Sequence, residues 1–198
     1  MMGSMTSEPD PRMRHDPRIL RAIAHPARSR ILHEFEAAGP LRAADVARLL
    51  DIPANQASFH LRQLAKYGLV EPAPEEARDR RDRVWRLVDE SRVRLDLKDI
   101  KGSPGGAAAV KVWQRSAGAW AHEIVDAAYA LDETPGTFRA ITEQPIRLTR
   151  DEARELADEL DAVLDRWADK QRGAALDDGR TTHLFFSILQ PHPQRTGA

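Results

Sequence analysis

Two predicted helices, residues 43–50 and 54–66, are separated by only three residues, and this spacing limits the folds open to the chain. The first of them places Val46, Leu49 and Leu50 on one face. The connection, Asp51-Ile52-Pro53, is long enough only for a sharp change of direction. Two helices joined by so tight a turn predict a helix-turn-helix.

Two further helices are predicted before this pair, each opened by a proline. Pro17 and Pro26 fit the first helical turn, where the missing N–H has no intrahelical partner to lose. Gly39-Pro40 ends the second of these helices. The predicted apolar faces are Ile19, Leu20 and Ile23 in the first helix, and Ile31, Leu32 and Phe35 in the second.

The helix at residues 54–66 is predicted to have one buried and one exposed face. Its buried face consists of Ala57, Leu61 and Leu64. The opposite arc carries mostly amide, hydroxyl and guanidinium groups, which can hydrogen-bond to the edges of bases, and Phe59 there can contact a thymine methyl. The residues of this arc are Asn55, Gln56, Ser58, Phe59, Arg62 and Gln63. A role in fixing the helix is the alternative for Ser58 and His60.

A hairpin with a basic tip is predicted after Gly68, which ends that helix. Extended segments at residues 69–71 and 84–88 flank a charged loop. Its arginines can reach a phosphate backbone or a minor groove. They are Arg78, Arg80, Arg81, Arg83 and Arg86, against Asp79 and Asp82. Helices followed by such a hairpin predict a winged helix.

Two stretches, residues 20–32 and 58–70, resemble the ArsR-type winged-helix repressors. The first contains His25-Pro26-Ala27-Arg28, and the second contains Ser58-Phe59-His60-Leu61 followed by Gly68-Leu69-Val70. The resemblance covers about residues 17–90. It implies a homodimeric, DNA-binding transcription regulator with residues 54–66 as the recognition helix and residues 78–86 as the wing.

The chain departs from the metal-sensing members of that family, which carry a Cys-containing motif in the helix before the recognition helix. Residues 43–50 hold neither Cys nor His, and the whole chain has no cysteine. Thiolate sensing of arsenic or cadmium, disulfides and cysteine nucleophiles are therefore excluded. His122, Glu123, His183 and His192 are scattered residues, and we predict neither a metal site nor a cofactor.

The glycine-rich segment 102–106 is predicted to join two domains, residues 17–101 and 107–190. A long helix at residues 107–131 opens the second domain with apolar residues in a heptad seam. A second subunit is the predicted partner of this seam, with packing inside one chain as the alternative. The seam residues are Val110, Trp113, Ala117, Trp120, Ile124, Ala127 and Leu131, of which all but Ala127 are predicted to contact the second subunit.

A small α+β unit is predicted to complete the chain. Thr149-Arg150-Asp151-Glu152 has the pattern of a capping box and starts a helix. Residues 182–189 are predicted to form a strand that pairs with residues 138–148. The predicted fold class is thus mainly α (α+β): a winged helix-turn-helix, a long dimerisation helix and a small C-terminal α+β unit.

The second domain has two alternative functions, an effector pocket and an enzyme. Its aromatic residues suggest a pocket for a small organic effector, with core packing as the simpler alternative. An enzyme using the carboxylates of residues 152–169 is disfavoured, because no nucleophile or phosphate-binding loop accompanies them. The aromatic residues are Trp113, Trp120, Phe138, Trp167, Phe185 and Phe186.

Charge is balanced over the 198 residues, at a net −1, but not along them. Residues 1–101 hold 19 Lys and Arg against 16 Asp and Glu, a net +3, and residues 102–198 hold 11 against 15, a net −4. The basic excess accompanies the predicted DNA-binding domain. Because +3 is small for a DNA-binding surface, a winged helix that binds a protein partner is the alternative hypothesis.

No membrane contact is predicted. No apolar run approaches the roughly 18 residues that a spanning helix requires. Residues 1–18 lack the apolar region of a secretory signal, so a cytoplasmic location is expected.

Overall fold

A computed structural model describes residues 16–77, 83–88, 97–130, 135–171, 176 and 178–191 of the chain. The chain divides into two compact units, Met1–Ala121 and His122–Ala198. The segment 102–106 forms the turn between two helices, and the division between the units falls later, inside the longer of those helices.

The described elements follow the order expected for a winged helix. The first unit contains helices α1 (Pro17–Ile23), α2 (Pro26–Ala38), α3 (Ala43–Leu50), α4 (Ala54–Lys66) and α5 (Leu97–Gly102). Its strands are β1 (Leu41–Arg42), β2 (Val70–Pro72) and β3 (Val84–Leu87), and a 3-10 turn spans Pro74–Glu76. Helix α6 (Gly106–Tyr129) runs into the second unit, which also contains α7 (Arg150–Gln171).

The three strands form one antiparallel sheet in the order β1-β3-β2. Trp85 lies at its centre, opposite Leu41 of β1 and Pro72 of β2. The predicted hairpin is confirmed as β2 and β3. Strand β1 was not predicted, because two residues are too few to show an alternating pattern. The helices and this sheet form an α+β winged helix-turn-helix.

The main core lies between the helices and the sheet. Ile31 and Phe35 of α2, Val46 of α3 and Leu61 of α4 are at most 2% exposed. They belong to one apolar cluster that also includes Leu41 and Trp85 of the sheet. The predicted inner faces of α2, α3 and α4 are therefore confirmed. Each Å² of apolar surface buried between these elements stabilises the fold by about 25 cal/mol.

A second apolar cluster lies at α1. Leu20 of α1 packs with Ile100 of α5 and with Ala109 and Val110 of α6, all at most 5% exposed. Helix α5 was not predicted. Its approach to α6 requires glycine, since a Cβ on Gly106 would collide with the carbonyl group of Ile100. The glycine-rich segment is thus a tight, packed turn.

The ends of the N-terminal helices follow directly from the sequence. Pro17 and Pro26 occupy the first turns of α1 and α2 as predicted. Asp16 caps α1, with a carboxylate oxygen accepting from the backbone N–H of Arg18 at 2.8 Å. Gly39 ends α2 with a φ of 76°, in the left-handed region that favours glycine.

The second unit starts α7 as predicted but does not form the predicted sheet. The Thr149 hydroxyl contacts both the backbone N–H and the carboxylate of Glu152, and that carboxylate accepts from the Thr149 backbone N–H at 2.7 Å. Residues 137–149 and 180–191 are irregular, so the strand predicted at residues 182–189 is wrong. The backbone N–H of Phe138 donates to the imidazole of His183 at 3.1 Å, where a strand ladder was expected.

No helix in the described portion of the chain combines the length and the apolar character needed to cross a bilayer.

Asp45 ties the first turn of α3 to the residue before it. Its carboxylate accepts from the backbone N–H of Arg42 at 3.0 Å and from the guanidinium at 2.8 and 3.0 Å. These bonds lower the pKa of Asp45, so its contribution to stability is present at neutral pH and is lost as pH falls below the ordinary value of 3.8.

Asp45→Asn is therefore expected to lower the free energy of unfolding by about 1–2 kcal/mol at pH near 7, the range for a lost charge-assisted bond at a helix start. Urea unfolding measured across pH checks this. The wild type and the variant should converge as pH falls further and further below 3.8, because the wild-type carboxyl then takes up its proton. A difference between them that does not change with pH would contradict the role given to this carboxylate.

Candidate nucleic-acid interface

Helix α4 has a buried and an exposed face, as predicted. Ala57, Leu61 and Leu64 are fully buried. Asn55, Gln56 and Arg62 are exposed, and Phe59 is 51% exposed in the same arc. Ser58 and Gln63 lie at the margins of this face and are half-buried. The structure thus brings the predicted base-reading residues of α4 onto one surface, which we call the α4 outer face.

The turn before α4 fixes its direction. Asp51 adopts a left-handed conformation, with φ 50° and ψ 49°, and the backbone N–H of Ile52 donates to the carbonyl of Ala47 at 3.0 Å. Pro53 follows and its carbonyl accepts from the backbone N–H of Gln56 at 2.9 Å. A short polar residue tolerates the left-handed conformation better than most, so the three-residue turn is compatible with its sequence.

The far end of α4 is closed by a Schellman motif. The N–H of Leu69 donates to the carbonyl of Leu64 at 3.0 Å, and the N–H of Gly68 donates to that of Ala65 at 3.0 Å. Gly68 has a φ of 66°, as the motif requires. Backbone hydrogen bonds thus fix both ends of α4, the helix that carries the outer face.

The wing arginines divide into two groups. Arg83 is exposed, and its guanidinium lies 5.8 Å from the centroid of the Trp85 ring. Arg86 is engaged on the sheet, donating to Glu71 of β2 at 2.9 Å and to Glu75 at 2.5 Å. The sequence predicted that Arg86 would contribute a charge to the basic tip. Because Arg86 is paired with Glu71 and Glu75, it does not add a free charge there. Arg78, Arg80 and Arg81 lie outside the described residues.

Two histidines meet behind the α4 outer face. The ring centroids of His25 and His60 are 4.8 Å apart. Burial lowers the pKa of His60, and the charges of His25 and Arg28 act in the same direction. Burial also lowers the pKa of His25, again with Arg28 adding to the effect. Sequence reasoning missed this contact, because no spacing rule relates the residue before α2 to the inner face of α4.

The first part of the predicted dimerisation seam packs within its own chain. Val110 is buried in the second apolar cluster, and Trp113 packs against that cluster. The ring of Trp120 stacks on that of His33 at 6.0 Å. Ala117 and Ile124 are half-buried, and Leu131 lies outside the described residues. These contacts favour the intrachain alternative for Val110, Trp113 and Trp120.

The other candidate sites are dispersed. Phe138, Trp167 and Phe185 are 77%, 58% and 59% exposed, so they are surface residues of the second unit. His122 and Glu123 lie on α6, and the imidazole of His183 contacts the carbonyl of Thr181 at 2.9 Å. Within the described ranges, no three His, Asp or Glu side chains come together as metal ligands would. His192 is beyond those ranges.

Comparison with known proteins supports the assignment of the N-terminal elements. Residues 23–73 match the family model described as a helix-turn-helix domain. This match spans α2, α3, α4 and β2 and so includes the helix with the α4 outer face. No curated protein sequence matches the chain.

Two solved structures show a weaker similarity. Wild-type MarR from E. coli in its apo form is 19% identical, with a TM-score of 0.33, over 80% of this chain and 98% of MarR. The transcriptional regulator Tm0710 from Thermotoga maritima is 15% identical, with a TM-score of 0.30, over 75% of this chain and 82% of that one.

Proposed function

We propose that this chain is a DNA-binding transcriptional regulator in which α4 is the recognition helix. The observation that carries the proposal is the α4 outer face. It presents Asn55, Gln56 and Arg62 on a helix whose two ends are fixed. Amide and guanidinium groups hydrogen-bond to base edges in a major groove, and a helix fits that groove. The match of residues 23–73 to a helix-turn-helix domain supports the same function.

Five residues of the α4 outer face have a proposed part. Asn55, Gln56, Ser58 and Arg62 contact bases or phosphates. Phe59, half-exposed between these polar residues, packs against a thymine methyl. Arg80, Arg81 and Arg83 of the wing contact the flanking backbone or minor groove, which adds affinity without base discrimination.

The proposed regulator acts as a homodimer on a pseudo-palindromic operator, with one recognition helix in each of two major grooves about one helical turn apart. Each described residue from 122 to 191 is at least partly exposed. Val125 and Tyr129 at the end of α6 are 45% and 66% exposed, and Trp167 of α7 is 58% exposed. Apolar side chains in this number favour a protein partner. Ala117 and Ile124 of the predicted seam are also proposed to contact the second subunit.

The finer assignment to an ArsR-type repressor rests on the sequence resemblance. His25-Pro26-Ala27-Arg28 opens α2, and Ser58-Phe59-His60-Leu61 lies in α4. In this proposal the dimer represses by occluding the promoter. A small organic effector that binds the second unit would release it.

Genomic-fragment enrichment at low and high salt, with light scattering on the same preparation, tests the proposal. We expect twice the mass of one chain, and enrichment of a pseudo-palindromic sequence that is lost as salt rises, because phosphate contacts release counterions. A monomer that enriches no sequence would contradict the proposal and favour the protein-interaction alternative. A dimer that retains DNA equally at both salts would contradict the wing contacts.

Arg83→Ala should weaken binding to every duplex by a similar factor. It is also expected to reduce the salt slope of log K by about one unit, because one phosphate contact is lost. Fluorescence anisotropy at several salt concentrations measures both. Arg154→Ala is the matched control, because Arg154 is an exposed arginine of α7 and is not among the proposed DNA contacts. Equal slopes for Arg83→Ala and the wild type would remove Arg83 from the contact surface.

A further inference from the structure

The contact between His25 and His60 joins the start of α2 to the recognition helix. His25 is the residue before α2, and His60 is on the inner side of α4, where it is 8% exposed. Their rings are tilted by 53° with centroids 4.8 Å apart, and the rings of Phe59 and His60 pack edge-on with centroids 5.4 Å apart. Phe59 belongs to the α4 outer face. The histidine pair therefore supports a residue that faces the proposed DNA.

The surroundings of the pair disfavour a positive charge. Atom Nδ1 of His60 is buried, and no described residue forms a hydrogen bond with it. The guanidinium of Arg28 lies close enough to act on both imidazoles, and it donates to the carbonyl of Arg21 at 3.0 Å. A proton added to either ring would thus face a half-buried cationic neighbour.

Among the residues that the structure describes, no carboxylate acts on either imidazole to compensate this charge. The groups that act on His60 are His25 and Arg28, and Tyr67, at the end of α4, acts on Arg28. Asp16 before α1 is paired with Arg18, and Asp45 of α3 is paired with Arg42. Arg21 of α1 and Arg48 of α3 are themselves cationic. The pair consequently favours two neutral rings over a protonated one.

We propose that the His25–His60 contact is a proton-sensitive joint that positions α4, so that acidification releases the recognition helix and lowers DNA affinity. This inference rests on the proposed function for its DNA-binding consequence. Neither ring touches DNA in the proposal; both act through the placement of Phe59 and the α4 outer face.

The sign of the pH effect follows from linkage. An unfolded chain takes up protons on these histidines as pH falls through the ordinary value of 6.5, whereas the folded pair resists them. The stabilisation from the neutral pair is therefore complete above pH 6.5 and is lost as pH falls below it.

The test compares the wild type with the double variant His25→Gln, His60→Gln at about pH 8 and about pH 5.5, which bracket the ordinary titration of histidine. The probe is a labelled duplex carrying the sequence that the protein enriches at the higher pH. Wild-type DNA affinity should fall about tenfold, which corresponds to the uptake of one proton by one histidine over one pH unit. The affinity of the double variant should change much less. His33→Gln is the control, because His33 is on α2 but stacks on Trp120; it should keep the wild-type dependence.

Urea unfolding over the same pH range separates this inference from the proposed function. A loss of stability on acidification in the wild type and in His33→Gln, but not in the double variant, is expected. If no duplex binds at any pH, the proposed function is overturned, and the unfolding profiles alone decide on the joint. Parallel pH profiles for the wild type and the double variant, in binding or in unfolding, would overturn the inference. His25→Gln alone replaces the exposed ring and provides the same comparison should the double variant fail to fold.

Discussion

Leu61→Ala is expected to lower the free energy of unfolding by about 2–5 kcal/mol, the range for removing a fully buried leucine side chain. Leu61 has no exposed surface and belongs to the main core cluster between the helices and the sheet. Its loss leaves a cavity that α4 can fill only by moving. Urea unfolding followed by circular dichroism measures the change, and a fraction of unfolded protein at growth temperature is the expected outcome for a domain of ordinary stability.

Arg62→Ala is the matched control for this measurement, because Arg62 is the next residue along α4 and is exposed. A surface substitution of this kind usually changes stability by no more than about 0.5 kcal/mol. If the two variants lost equal stability, the division of α4 into inner and outer faces would be wrong.

Arg62→Ala and Gln56→Ala should have their large effect on DNA binding. Each is expected to cost about 1–3 kcal/mol against the enriched duplex and to relax the preference at one base position, because a side chain that pairs with a base edge discriminates by that amount. Anisotropy titrations against the duplex and its single-base variants measure both changes. This pattern differs from that of Arg83→Ala, which weakens all duplexes alike.

Lys66→Ala is the control for these titrations, since Lys66 is an exposed residue in the last turn of α4 and outside the proposed base contacts. Its loss should leave the ranking of duplexes unchanged. Arg62→Ala binding specific and random DNA as the wild type does would show that α4 does not read bases in this protein.

The starts of α1 and α2 and the bounds of α3 and α4 could be predicted to the residue, because local chemistry sets them. Proline at the starts of α1 and α2 and glycine at the ends of α2 and α4 act on the backbone of their own turn. Strand β1 and helix α5 depend instead on distant partners. Strand β1 exists because Leu41 and Arg42 pair with Trp85 and Val84, and short elements of this kind leave no period in the sequence.

The strand predicted at residues 182–189 failed for a related reason. Alternating apolar residues form a strand only where a second segment offers a ladder of backbone groups. The expected partner contains Pro145, which has no N–H to donate. The observed link between the two segments instead uses the side chain of His183.

The candidate DNA-binding site likewise has a part that could be predicted from the sequence and a part that could not. The α4 outer face follows from the helical period, so its residues could be selected from the sequence. The engagement of Arg86 depends on Glu71 and Glu75, and the contact of His60 depends on a residue before α2. Both are products of packing between elements, which neither composition nor spacing records.

The second apolar cluster bears on how such a chain can change over evolution. Ile23 packs against both clusters, and Leu20 of α1 is covered by residues of α5 and α6. The packed domain that contains the helix-turn-helix therefore does not end at the glycine-rich turn but includes the start of α6. A recombination event at that turn would set Leu20 and Ile100 against a foreign α6, so we expect α1, α5 and the first turns of α6 to be inherited together.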